Sequence, residues 1–257
     1  MISVDTVYQT VLALANKEQR GYITPQEFNL YAEHAQMSIF EQYFYDINQF
    51  KRIPGNDSDY ADVVGLIEEK LSIFKMGPTE VTNNNELSDI ASGTQGVFHR
   101  LGEVFLSQSN SNGLTMYNDA SVVEEINQQD VIKIQSAPLT RATNSRPMYF
   151  LNTNILTGTN DSSATINFIP QVAPSNGSYQ VFWMRRPFIP KWTYIVVDEK
   201  PLYFSNAPDH QDFELHPSDQ NELVIKILQL AGVTLKDYNL VQAAGAEEAK
   251  NIQQEKQ

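Results

Sequence analysis

The period of the hydrophobic pattern changes twice along this chain, and these two changes constrain its fold more than any other feature. Apolar residues recur at helical spacing from Val4 to Phe74. Over 81–217 the pattern becomes short runs of β-branched and aromatic residues, and helical spacing returns after "HPSD". This order predicts an α+β protein. The N- and C-terminal helices would form one helical bundle, with an inserted antiparallel β domain of sandwich or barrel-like form.

The same changes predict the domain boundaries. Residues 1–80 form the N-terminal helical part of the bundle, 81–217 a β-rich domain, and 218–257 the C-terminal helices that complete the bundle and its tail. We expect a helix at 59–74 and a last, polar helix in "LKDYNLVQAAGAEEAKNIQQEKQ". The predicted strands are 103–107, 114–117, 130–135, 147–153, 164–169, 178–185, 193–198 and 202–205, with hairpin turns at Asn112-Gly113 and Asn176-Gly177.

Two helix starts are marked by capping residues. In "ITPQEF", Thr24 is the predicted N-cap, and Glu27 closes a capping box with it. In "HPSDQNE", Ser218 or Asp219 caps the later helix, and Glu222 can complete a box with Asp219. Both signals place helices on either side of the β-rich region.

The pattern of two strands indicates how their faces are covered. Thr165 and Asn167 alternate with apolar neighbours, which predicts one solvated face. Residues 179–184 carry large side chains without alternation, so we expect both faces of that strand to be covered. In a chain of 257 residues, part of that cover would come from other subunits, which favours assembly over catalysis.

Charge and composition exclude several classes of function. The net charge of −13 argues against general affinity for nucleic acid, although it is compatible with DNA that passes by without binding. With no cysteine, disulfides, thiolate catalysis and cysteine-based zinc sites are impossible. The first twenty residues lack a basic signal-peptide region, and no apolar run reaches the roughly 18 residues of a membrane span. We therefore expect no export and no membrane partner.

The segment "NKEQRGYITPQEF" has the length of a calcium-binding EF-hand loop. Gly21 would be its sixth residue and Glu27 its twelfth, with Asn16 first and Arg20 fifth. An arginine cannot coordinate Ca²⁺, and the first position lacks the usual aspartate. A helix-turn-helix is the favoured interpretation.

A second metal-like pattern lies in "HQDFELH". His210, Asp212, Glu214 and His216 alternate, so on a strand they would share one face. Any half-exposed strand gives the same alternation, and a solvated edge is therefore favoured. The acid pairs at 124–125 and 247–248 are adjacent in sequence and do not face each other as an acid–base pair would. We predict no catalytic residue, no cofactor and no metal.

The chain has one cluster of basic and aromatic residues, within "FWMRRPFIPKW". Such a cluster could bind nucleic acid or sugar by stacking, but arginine and aromatic residues are also enriched at protein interfaces. Given the acidic surroundings, an interface is favoured. The predicted interface residues are Trp183, Arg185, Arg186, Trp192, Leu223 and Ile227.

Three stretches of the chain resemble a known family. "LANKEQRGYITPQEFNLYAEHAQMSIFEQYF", "SAPLTRATNSRPMYF" and "FELHPSDQNELVIKILQLAG" are similar to head-to-tail ring or neck (adaptor, connector) proteins of short-tailed, crAss-like bacteriophages. The resemblance implies a virion structural protein, assembled in the bacterial host cytoplasm, that forms a dodecameric ring below the portal protein. Neighbouring ring or tail proteins would be its other partners. Genomic double-stranded DNA would pass through the ring without specific binding.

Two other classes of function remain open at this point. A carbohydrate- or receptor-binding tail or fibre component would use the aromatic β region, with Trp183 as a stacking residue. A peptidoglycan hydrolase would need a catalytic carboxylate, and the sequence nominates none.

Overall fold

The structure is a computed structural model of the chain, and it shows a mixed α+β protein. It describes residues 1–17, 23–50, 63–90, 96–108, 121–153, 164–171, 173 and 177–234. The chain divides into two compact units, Met1–Ile73 with Pro187–Gln257, and Phe74–Arg186. The predicted hairpin at 112–113, strand at 114–117 and C-terminal polar helix lie outside the described residues.

The chain begins with three helices, short helices interrupt the strands that follow, and a helix ends the described part. The helices are α1 Val4–Lys17, α2 Pro25–Phe50, α3 Val63–Ser72, α4 Leu87–Ile90, α5 Val131–Ser136 and α6 Gln220–Thr234. The strands are β1 Lys75–Val81, β2 Asn85–Glu86, β3 Phe98–Gln108, β4 Ser121–Val122, β5 Glu124–Glu125, β6 Met148–Thr153, β7 Ala164–Ile169, β8 Gly177–Arg185, β9 Tyr194–Val197 and β10 Lys200–Tyr203.

The first unit is built on α1, α2, α3 and α6. In it, α6 packs against α1 and α2, and α3 packs against α2. Helix α2 begins with the predicted capping box: the Glu27 carboxylate accepts the Thr24 N–H (3.0 Å), and the Thr24 hydroxyl oxygen accepts the Glu27 N–H (3.3 Å). The buried side chains of this core include Val7, Val11, Phe28, Phe40, Leu223 and Ile227.

The first unit also contains residues 187–217, which the sequence-based division placed with the β-rich part. The reason is packing. Trp192 and Phe213 are buried, Trp192 lies 4.4 Å from the Tyr8 ring of α1, and Ile2 bridges Phe213 through its backbone. Burial of these large apolar side chains fixes the segment to the helices.

The start of α6 differs from the predicted cap. Residues Pro217–Asp219 form a 3₁₀ turn, whose N-cap is His216, and its ring nitrogen accepts the Ser218 N–H. Asp219 does not serve as the expected capping carboxylate, because its oxygens accept hydrogen bonds from Tyr43 and Lys70 instead.

The second unit contains two four-stranded sheets that share one hydrophobic core. Their strand orders are β1-β8-β3-β4 and β2-β7-β6-β5, and all pairs are antiparallel except β5 with β6. Across the core, Phe168 of β7 stacks on Tyr179 of β8 with ring centroids 4.0 Å apart. Among the described strands both sheets are open, so the predicted barrel-like alternative is wrong and two packed sheets are observed.

Strand β8 differs from the expectation that both its faces are covered. Tyr179, Val181 and Trp183 are buried, and they alternate with side chains of the other face. On that face Phe182 is 39% exposed and packs against Phe105. Large side chains thus occur on both faces, but only one face lies in the core.

Strand β7 matches its predicted bounds, but the face that carries Thr165 is less exposed to solvent than expected. Ile166 and Phe168 are buried as predicted, and Thr165 is buried too. Its hydroxyl donates to the Asn152 carbonyl of β6 (3.1 Å), so the polar group is satisfied without water.

The predicted strand at 130–135 is wrong, because these residues form α5. The Asn127 side chain accepts the Gln129 N–H (3.2 Å) and starts a 3₁₀ turn at Gln128–Asp130. The turn leads directly into α5, whose Ile132 is exposed. Local capping therefore overrides the β-branched composition of "VIKI".

None of the described helices is both long and apolar enough to span a membrane.

Candidate interaction surface

The hairpin formed by β9 and β10 in the first unit has a rigid aromatic base. Trp192 is buried, and its ring stacks on Tyr194 and on Tyr203, with centroids 5.7 Å and 5.8 Å away. Tyr194 and Tyr203 pair with each other at the end of the hairpin opposite its turn. The stack therefore joins that end of the hairpin to the buried indole.

Hydrogen bonds hold the same tryptophan on both N-terminal helices. The Asn29 side chain of α2 accepts the Trp192 N–H (2.9 Å) and donates to its carbonyl (3.2 Å). The indole N–H donates to Asp5 of α1 (2.9 Å). All polar atoms of this buried tryptophan are therefore paired, as a stable anchor requires.

The strand ends are closed by further polar contacts. The Thr193 hydroxyl donates to the Phe204 carbonyl (2.5 Å), and Tyr203 shares a hydrogen bond with His210 (2.7 Å). Burial raises the pKa of Tyr203, and the carboxylates of Asp212 and Asp5 raise it further. The phenol therefore stays neutral at neutral pH and serves as a fixed hydrogen-bonding group.

The hairpin and the residue that follows it expose apolar side chains. Each is between 39% and 67% exposed, which is unusual for five large apolar residues within ten positions. We call them the apolar hairpin surface: Ile195, Val196, Val197 and Leu202 in the strands, and Phe204 directly after β10. By the pairing of the strands, Ile195, Val197 and Leu202 share one face of the hairpin and Val196 lies on the other. Exposed apolar side chains in this number are typical of protein interaction sites.

The tip of the hairpin is a two-residue turn made by Asp198 and Glu199. Both have positive φ, 48° and 63°, as a type I′ turn requires. Asn-Gly is the usual sequence here, and a glutamate in this conformation costs about 1 kcal/mol. The turn sets the register, in which Val197 pairs with Lys200 and Val196 with Pro201.

This register makes the two edges of the hairpin different. In a two-residue hairpin the pair next to the turn is hydrogen-bonded, so the following pair, Val196 with Pro201, directs its backbone polar groups outward. Val196 has an N–H to offer at the β9 edge, whereas Pro201 has none at the β10 edge. The β9 edge can therefore accept another strand and the β10 edge is blunted.

Most of the predicted interface residues do not lie on the surface. Five of the six are buried inside their own units: Trp183, Arg185, Trp192, Leu223 and Ile227. Arg186 is exposed. The buried members stabilise their units, and in the described structure they offer no surface to a partner.

Two of these buried residues show why the basic and aromatic cluster folds inward. The Arg185 guanidinium lies over the Phe74 ring at 5.7 Å, and its backbone N–H donates to the Phe74 carbonyl. The Trp183 indole donates to Thr79 (3.1 Å), and its ring is 1% exposed. Stacking of a sugar on Trp183 would need an exposed ring face.

A sequence signal for the hairpin surface does exist. The run "YIVVDEKPLYF" has apolar residues at successive positions, which is typical of a strand that is covered on both faces. Prolines lie close to this run in the sequence, and because proline interrupts strand pairing, few neighbouring strands are expected to cover it. The predicted strands 193–198 and 202–205 overlap β9 and β10. The Asp-Glu tip was not expected, since a glutamate is rare at a turn position that requires positive φ.

The residues of "HQDFELH" point to separate partners. The Asp212 carboxylate accepts the Val4 N–H (2.8 Å), and the buried Glu214 carboxylate accepts the Phe188 N–H (2.8 Å). His210 bonds Tyr203, and His216 caps the 3₁₀ turn. Within the described ranges no group of three or more metal-ligating side chains is found.

Of the two adjacent acid pairs in the sequence, the structure describes only the one at 124–125. Glu124 pairs with Arg146 (2.7 Å), and Glu125 accepts from the Tyr149 hydroxyl (3.3 Å). Burial, with the nearby Glu125 carboxylate, raises the pKa of Tyr149 to about 12. The pair at 247–248 and the loop residues 18–22 of the EF-hand-like segment lie outside the described residues.

Compared with known proteins, the chain matches no protein-family model and no curated protein sequence.

Proposed function

We propose that the protein is a virion structural protein that forms a ring in the head-to-tail neck of a bacteriophage, below the portal. The apolar hairpin surface carries this proposal, because it exposes large aliphatic side chains on a rigid base and needs a partner to cover them. The family resemblance supplies the type of assembly. The proposed localisation is the head–tail interface of the virion.

The hairpin supports a ring in a second way, through its unequal edges. A contact that uses the open β9 edge on one subunit and a different surface on the next is heterologous, and heterologous contacts close into rings when the rotation permits. The proposed copy number is twelve, with the portal and neighbouring ring or tail proteins above and below.

The proposed conduit role rests on charge. A net charge of −13 repels the phosphate backbone, so double-stranded DNA could pass through the ring without adhering to it. As the fold that accompanies this role, we propose that α1, α2, α3 and α6 act as one helical bundle into which the β unit is inserted.

The test is the assembly state of the purified full chain with Val196→Asp. Val196 is 67% exposed, so in the monomer the new carboxylate would be solvated, whereas at a subunit contact it would be buried without a partner. We expect the wild type to form a closed oligomer in light scattering or native mass spectrometry, and the variant to be monomeric.

The control is Ile132→Asp on α5, where the isoleucine is also exposed but belongs to the other compact unit. It should assemble as the wild type does. A wild-type chain that is monomeric, and that is absent from any ring in the reconstructed particle, would contradict the proposal.

A further inference from the structure

The β1-β8-β3-β4 sheet of the second unit turns one face away from the hydrophobic core. Along β8, buried side chains alternate with side chains that are exposed or half-buried. The pairing of β8 with β1 and β3 identifies the neighbours that lie on the same side as this second set. We call them the open sheet face: Lys75, Val97, Phe182, Met184 and Arg186.

The centre of the open sheet face is an aromatic ring that is only partly covered. Phe182 is 39% exposed although β8 is an inner strand, paired with β1 and β3, and Val97 of the same face is 62% exposed. On both sides of Phe182 the pairing is irregular, at Gly77 of β1 and at Gly102 of β3. An added Cβ at Gly77 would meet nothing within 4 Å. Phe105 packs against the ring, which is otherwise accessible, and irregular pairing of this kind often marks functional surfaces.

Positive charge lies at one end of this face. Lys75 at the beginning of β1 and Arg186 directly after β8 are exposed, and neither has an ion pair with an acidic residue that the structure describes. A third cation, Arg100, lies on the same face but has other contacts, so we assign it no role. The carboxylates of Glu80 and Glu103 lie further along β1 and β3. This end of the face therefore favours a partner that brings carboxylates.

The β9–β10 hairpin of the first unit has the complementary chemistry. Its tip carries the carboxylates of Asp198 and Glu199, which are exposed and have no ion pair with a basic residue in the described ranges. With Lys200 beside them, the tip keeps a net negative charge. The apolar hairpin surface begins next to the tip, at Val197. Acidic and apolar groups thus follow each other along the hairpin.

We propose that the open sheet face of one copy binds the apolar hairpin surface of the next copy, with Asp198 and Glu199 beside Lys75 and Arg186. On each surface the charged residues lie at one end and apolar residues adjoin them, so the two match in charge and in order. This match argues for a second copy as the occupant. The inference rests on the proposed ring and adds to it the surface that receives the hairpin. Because the two surfaces differ, the contact is heterologous, as a ring requires.

The direct test is chemical cross-linking of the full chain, which is specific because the chain has no cysteine of its own. Glu199→Cys and Lys75→Cys are combined in one chain, which is treated with a short bismaleimide. Both positions are exposed in the single chain, so both thiols are accessible. We expect a ladder of covalent oligomers on a denaturing gel, since each copy can react with the next.

The matched control combines Glu199→Cys with Lys133→Cys. The Lys133 side chain is 80% exposed and lies on α5, outside the open sheet face, so this variant should give no ladder. Equal ladders from both variants, or no ladder from the first, would overturn the proposal.

Mixtures of single variants show whether the contact joins two copies head to tail. Chains with Glu199→Cys, co-assembled with chains that carry Lys75→Cys, should give a cross-linked dimer, and neither variant alone should react with itself. Dimers from one variant alone would indicate a symmetric contact and would contradict the inference.

Charge reversal tests the electrostatic part of the contact. Lys75→Glu should raise the concentration of half-assembly in sedimentation velocity about fivefold, the upper range for one exposed charge pair, and Glu199→Lys should do the same. The two changes in one chain should restore much of the loss, because opposite charges face each other again. Lys133→Glu is the control and should change little. A double variant that is as weak as the sum of the single losses would refute the pairing.

Failure of this contact is distinguishable from failure of the ring. If Val196→Asp disrupts a wild-type ring, but Lys75→Glu leaves it intact and no ladder forms, the ring proposal stands and this contact is wrong. If the cysteine pair gives its ladder while the wild type forms open chains in place of a closed ring, the contact stands and the ring proposal is wrong.

Discussion

At the scale of single residues, buried polar groups with defined partners carry much of the specificity of the fold. Asp219 joins α2, α3 and the start of α6 through Tyr43 and Lys70, and Glu214 receives the backbone of Phe188. A buried carboxylate is tolerated only when hydrogen bonds or a cation replace its water. Removing one such partner therefore leaves the others unpaired.

Replacing Asp219 with asparagine tests this network. The amide has nearly the same shape but no charge, so the hydrogen bonds to Lys70 and Tyr43 lose their charge-assisted strength. We expect a loss of about 2 kcal/mol in the free energy of unfolding, measured by urea denaturation. Asp209→Asn, which removes an exposed partner of Lys191, is the control and should change little. Equal effects of both variants would contradict the role of the network.

Tyr149 predicts a dependence of stability on alkaline pH. Its pKa is raised to about 12 in the folded protein, chiefly by burial, against an ordinary value of 10. Between pH 10 and 12 this tyrosine loses its proton more readily in the unfolded chain than in the folded protein. Its contribution to the free energy of unfolding is therefore complete below pH 10 and is lost as the pH rises from 10 to 12. Tyr149→Phe should reduce this loss in urea titrations at successive pH values, and Tyr45→Phe, at an exposed position, should not. An unchanged pH profile in Tyr149→Phe would be the contrary result.

At the scale of helices and strands, capping residues and hydrophobic alternation predicted an element correctly where they agreed with its packing. The Thr24–Glu27 box begins α2 as predicted, and β7 has its predicted bounds because turns and alternation both mark it. Prediction failed where a local cap decided the conformation, as Asn127 does ahead of α5. Burial of Trp183 and Arg185 could not be read from the sequence for another reason: which face of "FWMRR" is buried depends on the long-range pairing of β8 with β1 and β3.

The pairing of β3 with β8 depends on a glycine. A Cβ at Gly102 would lie 2.7 Å from the Phe182 carbonyl oxygen, where the register of the two strands shifts. Gly102→Ala should destabilise the protein by about 2 kcal/mol in thermal or urea unfolding, because the backbone of β8 must move. At Gly77 of β1 an added Cβ meets nothing within 4 Å, so Gly77→Ala is the matched control. Similar losses for both would refute the close approach.

At the hairpin tip, a substitution is expected to stabilise the protein. Glu199 has φ of 63°, a conformation that glycine adopts without strain. Glu199→Gly should stabilise the protein by about 1 kcal/mol or slightly less. Lys200→Gly, in the neighbouring strand, should destabilise it by a similar amount, since glycine weakens a strand. Thermal unfolding compares the two, and a loss of stability in Glu199→Gly would show that the turn is not strained.

At the scale of the whole molecule, assembly into a ring is the proposed reason why an acidic, cysteine-free chain exposes an apolar hairpin. Five large apolar side chains within or next to the hairpin are exposed, and a contact between neighbouring copies would cover them. In the proposed ring, the same contact would repeat from each subunit to the next.

The most direct measurement is a cryo-electron microscopy map of the purified full chain, or of the particle that contains it, at a resolution that shows side chains. We expect a closed ring, in which Val196 and Ile195 of each hairpin are buried against the next subunit. A monomer, a two-fold dimer, or a ring in which the β9–β10 hairpin remains in solvent would contradict it.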